Sequence, residues 1–203
     1  MTTNRLTQQI QFIIEIDRLK QVLRQTSLVG GSRRENSAEH SWHLAVMAIA
    51  LAEYAPAGVD ISHAMKMLLI HDLVEIDVGD IFCYDVQANQ NKADLEAQAA
   101  IRLFGLLPTE QGEELRLLWQ EFEARETPTA RFAASLDRIQ PLLHNQQNHG
   151  GTWLIYGITR DQAMKRMAPV ETGMPELWPF VLQVIDDSVA AGYLQETTSS
   201  LQI

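Results

Sequence analysis

A chain of 203 residues with 46% hydrophobic side chains can build one domain with a sizeable core, which excludes a disordered polymer. Its 16 Lys and Arg against 26 Asp and Glu leave a net charge of −10, a poor match for a nucleic-acid polymer or an anionic membrane. The one cysteine, Cys83, excludes an intrachain disulfide and a cysteine-rich zinc site. The longest fully apolar run, residues 44–52, is far short of the roughly 20 residues that span a bilayer. Residues 1–20 are amphipathic, with no apolar signal core. A soluble, cytoplasmic protein is expected.

Nearly every periodic segment has helical spacing, and none alternates as a strand does. Leu6, Ile10, Ile13, Ile14, Leu19, Val22 and Leu23 form one stripe, which predicts a first helix. A loop over 26–35 follows, marked by Gly30-Gly31 and Arg33-Arg34. Asn36 with Glu39 three residues on predicts a capping box, opening a second helix that stops before Pro56. Asp60 caps a third helix carrying Ile61, Ala64, Met65, Leu68 and Leu69, extending to about Gly79. A loop then reaches about Asn91.

The fourth helix is expected over 92–104, closed by Gly105 and Pro108. The fifth carries Leu115, Leu118, Trp119 and Phe122. Thr127-Pro128 opens a sixth, with Phe132, Leu136, Ile139 and Leu143 on its apolar side and a kink expected at Pro141. Gly150-Gly151 end it. Shorter helices follow, the last over 175–193, and 199–203 reads as a loose tail. The fold class is all-α.

The most informative segment runs from Met67 through His71, Asp72 and Glu75. An apolar helix leads directly into ionisable groups, and a buried charge needs a partner or a metal. Glu75 follows Asp72 by three residues and His71 by four, so the three can share one side of a helix. The ordinary alternative is a helix end reaching solvent. His40 falls in the first turn of the second helix, and Asp137 one position off the apolar stripe of the sixth. Together these residues offer a mixed nitrogen and oxygen ligand set, suited to Mn, Fe, Co, Ni or Zn rather than Ca. The competing readings are a polar helix start for His40 and an ion pair with Arg138 for Asp137. Packing roles are expected for His43 and the four tryptophans, an exposed position for His63, and an approach to the pocket for His144.

The order His40, His71-Asp72, Asp137 resembles the HD superfamily of metal-dependent phosphohydrolases. The strings over 35–41, 70–75 and 79–81 are similar to those of the HD-domain 5′-deoxynucleotidases, within a resemblance covering about 18–146. It implies a single HD-domain helical bundle over 1–203, with its core over about 18–146 and a helical extension over 147–203. It implies one divalent cation (Mn, Co, Fe, Ni, Zn or Mg) on His40, His71, Asp72 and Asp137. Glu75 then positions or deprotonates the attacking water, and Asp80 lies by the substrate. Glu75, Asp80 and the Ile81 carbonyl can hold a second, magnesium-type ion. Arg33 matches a basic position of the relatives. Relatives that prefer deoxy sugars carry Arg-Trp where this chain has Arg24-Gln25-Thr26, so Arg24 and Gln25 are the candidate contacts at the sugar rim and an aromatic wall is missing there.

The implied activity is release of phosphate from (deoxy)nucleoside 5′-monophosphates by a homodimer with a small nucleotide as its partner. The alternatives are hydrolysis of another nucleotide phosphate ester, such as an alarmone or a cyclic nucleotide, and a non-catalytic metal-binding sensor.

Overall fold

The computed structural model describes residues 4–196, so the tail expected over 199–203 lies outside the described residues. Helix α1 (Arg5–Ile16) begins at Asn4, whose side chain accepts from the Leu6 amide. The stripe that predicts one long first helix is cut at Ile16. A 3₁₀ turn (Asp17–Gln21) buries Leu19, and strand β1 (Leu23–Ser27) follows.

β1 pairs antiparallel with β2 (Arg34–Asn36), aligning Leu23 with Asn36 and Ser27 with Arg34. This hairpin corrects the all-helical reading of the segment. Its inward residues on β1 are Arg24 and Thr26, so the strand alternates in burial but not in hydrophobicity. Gly30 and Gly31 close the connection at φ of 90° and 68°, a region that residues with a Cβ rarely enter.

Helix α2 (Ser37–Ala50) opens with the expected capping box between Asn36 and Glu39. Helix α3 (Ile61–Ile70) is capped by Asp60, as its sequence predicts. The expected continuation to Gly79 is not one helix. The chain tightens into a 3₁₀ turn (His71–Val74) and then forms the single turn α4 (Glu75–Val78), which ends at Gly79.

Helices α5 (Lys92–Phe104) and α6 (Thr109–Ala124) follow, then the central α7 (Pro128–Gln147), with Thr127 as cap and Pro128 in its first turn. α7 runs on through Pro141, whose missing N–H deprives the Asp137 carbonyl of its usual donor four residues on. The remaining helices are α8 (Gly151–Tyr156), α9 (Arg160–Met167), α10 (Pro169–Gly173) and α11 (Trp178–Ala190).

The larger core joins Leu44 and Ala48 of α2, Met67 and Leu68 of α3, and Phe132, Leu136 and Ile139 of α7. Val170, Met174, Val181 and Ile185 from the C-terminal helices belong to the same cluster. Each of these side chains larger than alanine contributes roughly 1.5–3 kcal/mol on burial. Gly173 permits the closest approach: a Cβ there would stand 2.2 Å from Ser135 Oγ and 2.5 Å from the Arg131 carbonyl, both on α7. A second cluster packs Phe12 and Leu19 against Leu73, Val74, Leu103, Phe104 and Trp119. Among the described residues, no helix is long and apolar enough to cross a membrane.

Candidate metal centre

The capping box sets where α2 begins, and so the face on which His40 falls. His40 is fully buried and points toward α7. Its Nε2 lies 3.0 Å from Asp137 Oδ1 and 3.9 Å from Asp72 Oδ2. His71 Nε2 lies 3.0 Å from Asp72 Oδ1 and 3.8 Å from Asp137 Oδ1. Residues 97 positions apart therefore meet at one point.

The other ring nitrogens show which atoms carry lone pairs. His71 Nδ1 donates to the Leu68 carbonyl at 2.9 Å, so in the neutral ring Nε2 is an acceptor. That Nε2 is buried and has no hydrogen-bond partner among the described residues. His40 Nδ1 faces Gln140 Oε1 at 3.2 Å, while Gln140 Nε2 donates to Glu35 Oε1 at 2.6 Å. The carboxylate orients the amide, and the amide oxygen in turn requires a hydrogen on His40 Nδ1. His40 Nε2 then presents a lone pair to Asp137.

Two imidazole lone pairs and two carboxylates thus face one another across hydrogen-bond distances. The ligand atoms of His40, His71 and Asp137 lie within 4.8 Å of one another. Such an arrangement needs a cation at its centre, and its donor set fits a divalent one. Without a metal a proton takes that place. Burial alone would lower the pKa of His71, but the charges of Asp72 and Asp137 push it up to about 9. Burial would raise Asp137, yet its 3.0 Å contact with His40 and the positive charge of His71 hold it well below the usual carboxylate range.

Glu75 opens α4 at the edge of this centre and is buried. Its Oε2 accepts from Ser37 Oγ at 2.6 Å. Burial first, and the charge of Asp72 second, push its pKa well above the ordinary value. Arg24, turned inward by β1, has Nη1 at 2.9 Å from Asp72 Oδ2 and 3.6 Å from Asp80 Oδ1, and Nε at 3.7 Å from Glu35 Oε2. Asp80 Oδ2 also accepts from the Gln25 amide at 3.2 Å.

A cleft of about 160 Å³ opens beside these groups. Arg24, Gln25, Asp72, Glu75, Asp80 and Ile81 line it, as does Asp137. Arg33 does not. It is exposed and forked onto Glu39 at 2.8 and 2.5 Å, at the start of α2 and outside the cleft lining. Position next to a matched motif suggested Arg33, but the hairpin turns Arg24 inward and leaves Arg33 at its outer end.

The sequence reading missed several cleft residues. Lys92, Arg138 and Arg166 line it, and so do Phe82 and Tyr84, whose ring centroids are 5.4 Å apart. Phe82 also packs on Tyr156 at 4.5 Å, and the Tyr156 hydroxyl donates to Gln25 Oε1 at 2.9 Å. An aromatic group therefore does stand beside Gln25, delivered by α8 rather than by the neighbouring sequence position. No local signal marks it. Trp42 is exposed, stacked on His43. His43 Nδ1 and His144 Nε2 each lie 3.3 Å from Gln140 Nε2, so both belong to the network behind His40. His63 pairs with Glu121 at 2.8 Å, part-exposed at its helix start.

The sequence pattern of the HD domain matches residues 16–178. The chain belongs to the HD-domain family. This HD-domain protein is 28% identical to the 5′-deoxynucleotidase HDDC2 of Danio rerio over 135 residues, 66% of each chain. It is 32% identical to the same-named protein of Xenopus laevis, again over 135 residues and 66% of each. The match thus spans just under two thirds of the length of those relatives. Among solved structures, a predicted metal-dependent phosphohydrolase from Magnetospirillum magnetotacticum superposes with a TM-score of 0.90 at 53% identity, covering 94% of this chain and 95% of the other. A conserved hypothetical protein from Pyrococcus furiosus, 22% identical, superposes at 0.57 over 89% of this chain and 99% of its own, a likeness of fold.

Proposed function

We propose that this protein is a phosphoric monoester hydrolase that releases phosphate from (deoxy)nucleoside 5′-monophosphates. The observation that carries the reading is the convergence of the His40 and His71 Nε2 lone pairs on Asp72 and Asp137, beside a buried carboxylate, Glu75. The nucleotide class is supported by the names of the relatives. His40, His71, Asp72 and Asp137 would hold one divalent cation. When bound, that ion supplies a Lewis acid for a phosphoryl oxygen and lowers the pKa of water.

The chain's own groups do the rest. Glu75, whose environment favours a proton, accepts one from the attacking water, and Ser37 Oγ holds its Oε2 in place. A phosphorus–oxygen bond to water forms, the bond to the 5′ oxygen breaks, and that oxygen takes a proton from solvent and leaves as the nucleoside hydroxyl, while Glu75 returns its proton to solvent. Arg24 holds Asp72 in place through its 2.9 Å ion pair and lies 3.6 Å from Asp80. Glu75, Asp80 and the Ile81 carbonyl share the cleft and are candidates for a second ion. Gln25 stands at the sugar rim. The reading includes one HD domain with its core over about 18–146, and a homodimer in the cytoplasm.

The test is phosphate release from a panel of nucleotides, with Mn, Co, Mg or Zn added back to chelator-treated protein. Turnover of 5′-monophosphates with one or more metals is expected. Turnover confined to alarmones or cyclic nucleotides would transfer the site to another ester. Tight metal binding with no turnover of any phosphate ester would leave a sensor.

A further inference from the structure

Helix α9 forms one wall of the cleft through Ala163, Arg166 and Met167. A capping box between Thr159 and Gln162 sets its start, and the Arg160 amide donates to the Gln195 carbonyl at 2.8 Å. Ala163 and Met167 are buried, so the helix is anchored on both sides of Arg166. Arg166 itself remains about one third exposed, with a single ion pair among the described residues: Nη2 to Asp137 Oδ2 at 3.8 Å. That is longer than a hydrogen bond, so its planar fork of donors is open to a ligand.

The other cations of the cleft are committed. Arg24 faces three carboxylates. Lys92 pairs with Glu96 at 3.4 Å. Arg138 is buried and donates from Nη1 to the Ala134 carbonyl at 2.7 Å, yet its Nε has no partner among the described residues. Arg138 and Arg166 both line the cleft, so two like charges oppose each other there. An anion beside them would relieve that opposition. A guanidinium recognises phosphate through paired N–H donors in one plane.

We infer that Arg166 seats the phosphoryl group of the substrate, a phosphate monoester dianion, against Asp137 and the metal centre, with Arg138 Nε behind it. The inference rests on the phosphohydrolase reading above. It makes Arg166 a substrate-binding residue supplied by the C-terminal helices, 29 positions after Asp137, the last of the four candidate ligands. The competing role is a structural ion pair that only holds Asp137 in place.

The test measures inorganic phosphate binding by calorimetry, with manganese-loaded and with chelator-treated protein, for the parent, Arg166→Met and Arg166→Lys. Manganese affinity and thermal stability are measured on the same samples. Arg166→Met is expected to weaken phosphate binding by about 10- to 100-fold in the loaded protein, with Arg166→Lys intermediate and manganese affinity within about twofold of the parent. Phosphate affinity unchanged in Arg166→Met overturns the inference. So does a loss of manganese affinity equal to the loss of phosphate affinity, which is the signature of the structural ion pair. Arg166-dependent phosphate binding in a protein that cleaves no nucleoside monophosphate would leave the inference standing and remove only the nucleotidase reading.

Discussion

His40 Nε2 and Asp137 Oδ1 stand 3.0 Å apart, and with His40 Nδ1 turned to Gln140 both are lone-pair atoms. Two acceptors at that separation repel unless a cation joins them. A proton fills that place in the metal-free protein and a metal competes with it, and a ligand that binds only the folded state stabilises that state.

Manganese or cobalt at 100 times its dissociation constant should stabilise the chelated protein by about 2.7 kcal/mol. Asp137→Ala should abolish most of that increment. Calorimetric melting with and without metal checks this. A parent protein whose melting temperature ignores every divalent ion would refute the site.

Glu75→Gln keeps the shape and the Ser37 contact but removes the proton acceptor. Turnover should fall about 10²- to 10⁴-fold, the usual range for a general base. Metal content should stay at the parent level, because Glu75 is not among the four first-metal ligands. Near-normal turnover in the metal-loaded variant would displace Glu75 from its role.

Stability of the metal-free protein should depend on His71. Its folded pKa of about 9 lies above the ordinary 6.5, so its contribution is complete below pH 6.5 and is lost as pH rises through 9. Up to about 3 kcal/mol is at stake. Asp137 acts in the opposite direction: its pKa is depressed, so its contribution is present above the ordinary carboxylate range and lost in acid. Chelated parent protein should melt progressively lower between pH 6.5 and 9, while His71→Asn should show a flatter profile. Equal slopes in the two would contradict the assignment.

Sugar discrimination should be modest. The side-chain N–H groups of Gln25 have no partner among the described residues and can meet a 2′-hydroxyl, although its Oε1 is taken by Tyr156. The ratio of kcat/KM for dAMP over AMP, and for dGMP over GMP, is expected within about tenfold, or roughly 1.4 kcal/mol. Tyr156→Phe releases Gln25 and should change that ratio more than it changes turnover of the preferred substrate. A parent ratio in the thousands would show that Phe82 and Tyr156 together act as the wall absent from the Gln25 position.

Much of this protein is determined by its sequence alone. Helix caps at Asn36, Asp60 and Thr127 are local chemistry, a side chain meeting an amide two or three residues on, and they lie where the residue types place them. The placement of His40, His71, Asp72 and Asp137 near one another is legible from the resemblance to the HD superfamily, and for His71-Asp72 also because an apolar helix leads into charged groups that a core tolerates only in company. The tertiary structure decided what no local pattern encodes. The hairpin β1–β2 is invisible to hydrophobic periodicity because Arg24 and Thr26 are its inward residues, and the same hairpin keeps the candidate Arg24 at the cleft and leaves the candidate Arg33 outside its lining. Tyr156 reaches Gln25 across 131 positions, and Arg166 reaches Asp137 from α9. Polar groups brought together over such separations carry no period and no cap, so only the packing of the C-terminal helices onto α7 could bring them to the site.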